Sequence, residues 1–131
     1  MLLKDYIPKL NKKYKNIFFS GISFDSAKVK KDHIFFAING SSCHGADFAT
    51  DAVERGAILV ITDYEGAKIL ENGRIETAIM IVSNPRQKLA DYSARWNGIQ
   101  PKIQVAVTGT NGKTSVCHFV KQIWEFLGYK T

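Results

Sequence analysis

No run of this chain approaches the ~20 consecutive apolar residues that a membrane helix requires, so a membrane partner is not expected. The opening Met1-Leu2-Leu3-Lys4-Asp5-Tyr6 breaks into charge too early for a secretory signal. Cysteine is scarce. Cys43 and Cys117 are the two in 131 residues. They are far apart and outside any Cys-x-x-Cys or Cys/His spacing, which excludes a metal knuckle and reads as two free thiols in a reducing cytoplasm. No segment is low-complexity or disordered in composition. A nucleic-acid-reading motif is also missing. The net charge of +6 favours an anionic partner. The lysines, however, form only short clusters, Lys12, Lys13 and Lys15 and then Lys28, Lys30 and Lys31. These read as solvated faces and not as a basic arm, so no nucleic acid is expected.

What remains is an ordinary cytoplasmic globular composition, 45% hydrophobic and 23% charged. The length suits one compact domain, or a small domain plus the start of another. Leu2, Leu3, Tyr6, Ile7 and Leu10 recur at helical spacing and predict a helix over 2–11 despite Pro8. The segment 17–24 reads as a strand or strand pair with Gly21 as a bulge. Three continuous apolar runs, 34–38, 58–62 and 78–82, read as buried strands. Between the first two lies a loop, 39–46, and a helix from Phe48 that Gly56 closes. A strand–loop–helix–strand unit of this kind implies a parallel crossover. Residues 64–70 form a further short helix. Asn84-Pro85 reads as a cap followed by proline in the first turn of a helix over 86–96. A domain boundary is expected at 84/85. Beyond it come a loop, a strand at 103–107, a glycine-rich turn at 108–115 and a helix over 116–127. The fold class is therefore α/β: a small domain with buried strands and flanking helices, followed by the first strand, phosphate loop and helix of a parallel-sheet domain. That last unit cannot bury its own faces, and the chain is expected to be a fragment.

Thr108-Gly109-Thr110-Asn111-Gly112-Lys113-Thr114-Ser115 is the segment that carries chemistry. A phosphate is held well by backbone N–H groups converging from a tight turn and by the positive end of a helix. Gly109 and Gly112 let the backbone approach the anion. Lys113 reaches the terminal phosphates as a point charge and is the candidate catalytic residue. The Thr114 hydroxyl is placed both to cap the helix and to ligate Mg²⁺. The strict phosphate-loop pattern fails at its first glycine, where Val107 stands.

Over Thr108–Thr114 the chain resembles the ATP-binding loop of the Mur ligases and of their relatives, the folylpolyglutamate and cyanophycin synthetases. Asn111 with Thr114 and Ser115 resembles the MurE type within that family. The type that adds D-alanyl-D-alanine usually has another residue at the position of Asn111. The first domain adds to the resemblance. Phe24-Asp25-Ser26, Val29 and 32–40 are similar to the family's Asp-Ser-Arg … Leu-Phe-Val-Ala … Gly signature, which Gly45, Phe48, Ala52, Gly56 and Ala57 continue. Asn84-Pro85-Arg86 with Leu89-Ala90 resembles the start of its central domain. Three departures stand out. Ala27 replaces an arginine, His33 a glycine, and Ser41-Ser42-Cys43-His44-Gly45 a loop that often carries aspartate before the glycine.

The resemblance implies a cytoplasmic three-domain ATP-dependent ligase. Residues 1–84 would hold the UDP end of UDP-N-acetylmuramoyl-L-alanyl-D-glutamate through Phe24, Ser26, Ser41, Ser42 and Cys43. Residues 85–131 would begin the MgATP domain, and an absent domain would bring diaminopimelate or lysine. ATP converts the substrate carboxylate to an acyl phosphate, and the incoming amine then displaces phosphate. By itself the chain is expected to be inactive. A stand-alone nucleotide-binding module, or the D-alanyl-D-alanine-adding ligase, are the alternatives. Of the remaining residues, Asp25 is expected to hold its loop by an Asx-type bond. His44 is expected to be exposed, and His33 and His118 structural or on the surface. Trp96, Trp124 and Phe126 are expected in the core.

Overall fold

The computed structural model describes residues 2–7, 15–73 and 75–131. The chain forms two compact units, Met1–Ile99 and Gln100–Thr131. The first unit therefore runs past the expected boundary at 84/85. It keeps the helix that follows Asn84, because that helix packs on the sheet.

Four parallel strands make the sheet of the first unit: β1 Gly21–Ser23, β2 His33–Phe36, β3 Ala57–Thr62 and β4 Ala78–Ile81. They lie side by side in chain order. Successive side chains on a strand point to opposite faces. Ile34, Phe36, Leu59 and Ile61 thus face one way, packed with Leu3, Ile7, Phe19, Ala78 and Tyr92. Phe35, Ala37 and Val60 face the other, packed with Val29, Ala46, Ala49, Ala52 and Leu70. Because both faces are covered, the strands read as unbroken apolar runs in the sequence.

The second face is covered by the connections. These are a 3-10 turn at Ser26–Lys28, a second at Gly45–Phe48 leading into α2 (Ala49–Glu54), and α3 (Tyr64–Asn72). The first face is covered by α1 (Leu3–Tyr6) and α4 (Pro85–Asn97). The Asn84 side chain accepts the Gln87 N–H at 2.9 Å, and Pro85 occupies the first turn of α4. Tyr92 anchors α4 edge-on against Phe36 at 5.8 Å, and Trp96 meets Phe19 at 5.1 Å. Gly56 follows α2 with φ +107°, and a Cβ there would meet the Lys31 backbone at 2.7 Å, so only glycine fits.

Several expectations are corrected. The 17–24 segment forms only three strand residues, with Phe18 in an isolated bridge to Leu2. The predicted first helix is seen over Leu3–Tyr6, and its continuation over 8–11 lies outside the described residues. In the second unit 103–107 forms no strand, because that unit supplies no neighbouring strand to hydrogen-bond. Its helix α5 runs Lys113–Phe126 and buries no residue. Phe126, expected in a core, is 90% exposed. Trp124 is half-buried beside Tyr129.

His33, at the start of β2, is partly buried, and its Nδ1 has no hydrogen-bond partner among the described residues. Burial, reinforced by the Lys30 ammonium and opposed by Asp32, holds this imidazole below the ordinary histidine value. The folded group therefore resists protonation while the unfolded one takes up a proton near pH 6.5. Its contribution to stability is complete above that pH and is lost as pH falls toward the lower folded value. Melting curves between about pH 7.5 and 5 are expected to show this loss, and His33→Gln to flatten it. An unchanged slope in that variant would assign the acid sensitivity to other groups.

Candidate functional site

In an all-parallel sheet the carboxyl ends of the strands share one end, where open α/β sheets place their ligand crevices. Here that end gathers 24–26 after β1, 37–44 after β2, Asp63 after β3 and 82–86 after β4. Asp25 caps the first 3-10 turn, its Oδ1 accepting the Ala27 N–H at 3.1 Å, as the Asx reading expects. Ser23 reinforces the bend, donating through Oγ to the Asp25 carbonyl at 2.7 Å. Phe24 is thereby turned outward and is 68% exposed.

Phe24, Asp25, Ser26, Phe35 and Phe48 line a cleft of about 320 Å³. Phe24 and Ser26, two of the expected nucleotide contacts, thus meet in one place. Phe48 joins them with nearly half its surface exposed. It was not singled out as a contact from sequence. The signal available was that Ala49 and Ala52 form the buried side of α2, leaving the residue before them free of the core. A larger cleft, about 880 Å³, lies among Ser20, Lys28, Lys30, Lys31 and His33 near the starts of β1 and β2. Its lining is mainly lysine, with no Phe, Tyr or Trp, and the cleft at the carboxyl end, with three phenylalanines, suits a nucleoside better.

Ser41, Ser42 and Cys43 do not line that cleft. They sit exposed on a turn closed by the Gly40 N–H donating to the Cys43 carbonyl at 3.0 Å. Asn39 and His44 bridge across its base, and Arg86 from α4 donates to the Asn39 carbonyl at 3.0 Å. His44 is not the exposed loop histidine expected from sequence. It is 8% exposed, with both ring nitrogens engaged. Its neighbour Cys43 is exposed and free, as is Cys117.

The second unit presents the other candidate site. Gly109 (φ +149°) and Gly112 (φ +75°) take backbone conformations that L side chains rarely adopt. Gly112 caps the fourteen-residue α5, whose free N–H groups and dipole favour an anion. The Lys113 ammonium folds back over its own turn, donating to the carbonyls of Gly109 and Thr110. Thr108, Thr110, Asn111, Thr114 and Ser115 are all exposed around it. Among the described residues no three His, Cys, Asp or Glu side chains converge to hold a metal. No helix described is long and apolar enough to cross a membrane.

The family described as Mur ligase family, catalytic domain, matches residues 18–100. The UDP-N-acetylmuramoyl-L-alanyl-D-glutamate–2,6-diaminopimelate ligase of Mesorhizobium japonicum is 44% identical over 110 residues, covering 84% of this chain and 22% of that protein. The ligase of the same name from Rickettsia prowazekii is 35% identical over 121 residues, covering 92% and 24%. A solved structure of a diaminopimelate ligase of that name superposes over 98% of this chain and 26% of its own, with TM-score 0.69 and 24% identity. The MurF ligase of Thermotoga maritima, solved with ADP, superposes over 79% and 23%, with TM-score 0.57 and 23% identity. The last two likenesses bear on the fold. The chain spans about a quarter or less of the length of these relatives.

Proposed function

We propose that this chain, which belongs to the Mur ligase family, carries the uridine-nucleotide-binding part and the opening of the ATP-binding part of a cytoplasmic ligase. The full enzyme would join an amino acid to UDP-N-acetylmuramoyl-L-alanyl-D-glutamate in peptidoglycan synthesis. Diaminopimelate, in preference to lysine, is the amino acid that the names of the relatives support. The observation that carries the reading is the 44% identity to such a ligase over 84% of this chain.

The division of labour follows the two units. In the first, Phe24 and Phe48 offer aromatic surface to uracil, and Ser26 a hydroxyl to the same ligand. Ser41, Ser42 and Cys43 stand ready for its ribose and phosphates. In the second, the 108–115 turn and the head of α5 would take the phosphates of ATP, with Lys113 neutralising charge as it develops. Mg²⁺ fits this turn only as an ion held mainly by phosphate oxygens and water, with the Thr114 hydroxyl as its protein ligand, since no acidic cage is present among the described residues. ATP supplies the phosphoryl group that turns a poorly electrophilic carboxylate into an acyl phosphate. Binding and orienting the uridine end is the part of the reaction that falls to the first unit.

Calorimetric titration of the chain with UDP and, separately, with MgATP tests the reading. UDP is expected to bind. MgATP is not, because the phosphate turn lacks the rest of its site. Phe48→Ala is expected to weaken UDP about tenfold, within the ~1–3 kcal/mol typical of stacking a base on an aromatic ring. Binding of MgATP without UDP would overturn the uridine reading and favour a stand-alone nucleotide module.

A further inference from the structure

The turn at 39–44 is held at its Asn39 end by Arg86 and at its other end by the imidazole of His44. The His44 Nδ1 accepts the Ala46 N–H at 3.0 Å. That assignment places the ring proton on Nε2, which donates to Asp63 Oδ1 at 3.1 Å. The same carboxylate oxygen accepts the Gly66 N–H at 2.8 Å and so caps α3. Beneath the ring, the Thr62 hydroxyl donates to the Ala37 carbonyl at 3.0 Å. The Gly45 N–H donates to the Ile38 carbonyl at 2.9 Å. The segment after β2 is thus tied to the segment after β3 at a buried point, while Ser41, Ser42 and Cys43 just before it stay exposed.

We propose that His44 is a positioning residue: its link to Asp63 holds the 41–43 turn in the geometry that receives the sugar-phosphate part of a uridine nucleotide. The ligand half of this inference rests on the uridine reading above; the mechanical half does not. A turn already held in place loses less freedom on binding, so loosening it weakens affinity without removing a contact.

Two isosteric variants separate the ring's two bonds. In His44→Asn the side-chain oxygen stands where Nδ1 was and keeps the Ala46 bond, but nothing reaches Asp63. In His44→Gln the amide nitrogen stands near the position of Nε2 and keeps the Asp63 bond. Amide hydrogen exchange over 40–45 in the nucleotide-free chain is expected to quicken roughly tenfold in His44→Asn and to stay near the parent rate in His44→Gln. UDP affinity is expected to fall about five- to tenfold in the first variant and to be retained in the second. If His44→Asn does not fold, Asp63→Ser cuts the same link from the other side while its hydroxyl still caps α3, and the same two changes are expected. Unchanged exchange in the folded variants overturns the clamp. Faster exchange with undiminished UDP affinity overturns the positioning role. If the parent chain binds no UDP, the uridine reading and the ligand half fall together, and the exchange rates alone decide the clamp.

Discussion

Replacing Gly66 with alanine is expected to cost the first unit about 3 kcal/mol and to lower its melting temperature by roughly 12 °C or more. On an ordinary helix the change would be favourable, by up to ~1 kcal/mol, because alanine is the better helix former. Here the added Cβ would sit 2.0 Å from Thr62 Oγ1 and 2.5 Å from His44 Cε1. Neither neighbour is a loose end. Thr62 is fully buried with its hydroxyl committed to the Ala37 carbonyl, and the His44 ring is fixed at both nitrogens. Making room means breaking one of those bonds inside the protein, which leaves a buried polar atom unsatisfied at about 1–3 kcal/mol. Gly73→Ala is the control. Its Cβ would meet nothing nearer than 3.6 Å, in ordinary contact, so its melting temperature should hold or rise slightly. Thermal unfolding followed by circular dichroism compares the two, and equal melting temperatures would mean that the packing over α3 is not as described.

Phe36→Ala is expected to be costlier still, about 3–5 kcal/mol in urea denaturation. Phe36 is fully buried at the centre of one sheet face, and it is the ring on which Tyr92 of α4 rests. Its loss opens a cavity and unseats that helix together. Phe119→Ala in α5 removes the same atoms from a side chain that is 63% exposed and should change stability by less than about 0.5 kcal/mol. A small loss at Phe36, or a large one at Phe119, would contradict the placement of the core in the first unit.

Much of the sheet was readable from sequence because buried parallel strands are written as unbroken apolar runs. The runs at 34–38, 58–62 and 78–82 appear as strands within two residues of those limits. Asn84-Pro85 announced α4 through cap chemistry that is local to three residues. The failures also have a physical pattern. The 103–107 run has the composition of a strand but no partner, and strand pairing is not a local property. Phe126 recurs at the spacing of Phe119 and Ile123, yet a periodic face predicts burial only where something exists to bury it. His44 was misplaced because a polar residue in a serine- and glycine-rich loop carries no periodic signal. Its partner Asp63 lies nineteen residues on. The candidate site divides the same way. The phosphate turn is a contiguous motif that the sequence displays whole. The aromatic cleft is assembled from the ends of separate elements, and Phe48 joins it only through the fold.

The spatial sequence of strands, β1-β2-β3-β4, is also their order along the chain. Each strand after β1 therefore finds its neighbour already made when it leaves the ribosome, and no strand has to be inserted between two that have paired. Only the short segments between successive strands need to close at each step, which keeps the loop entropy of every addition small. Assembly of the sheet can keep pace with synthesis from one edge to the other, with α4 arriving last to seal the face that Phe36 would otherwise leave open to water.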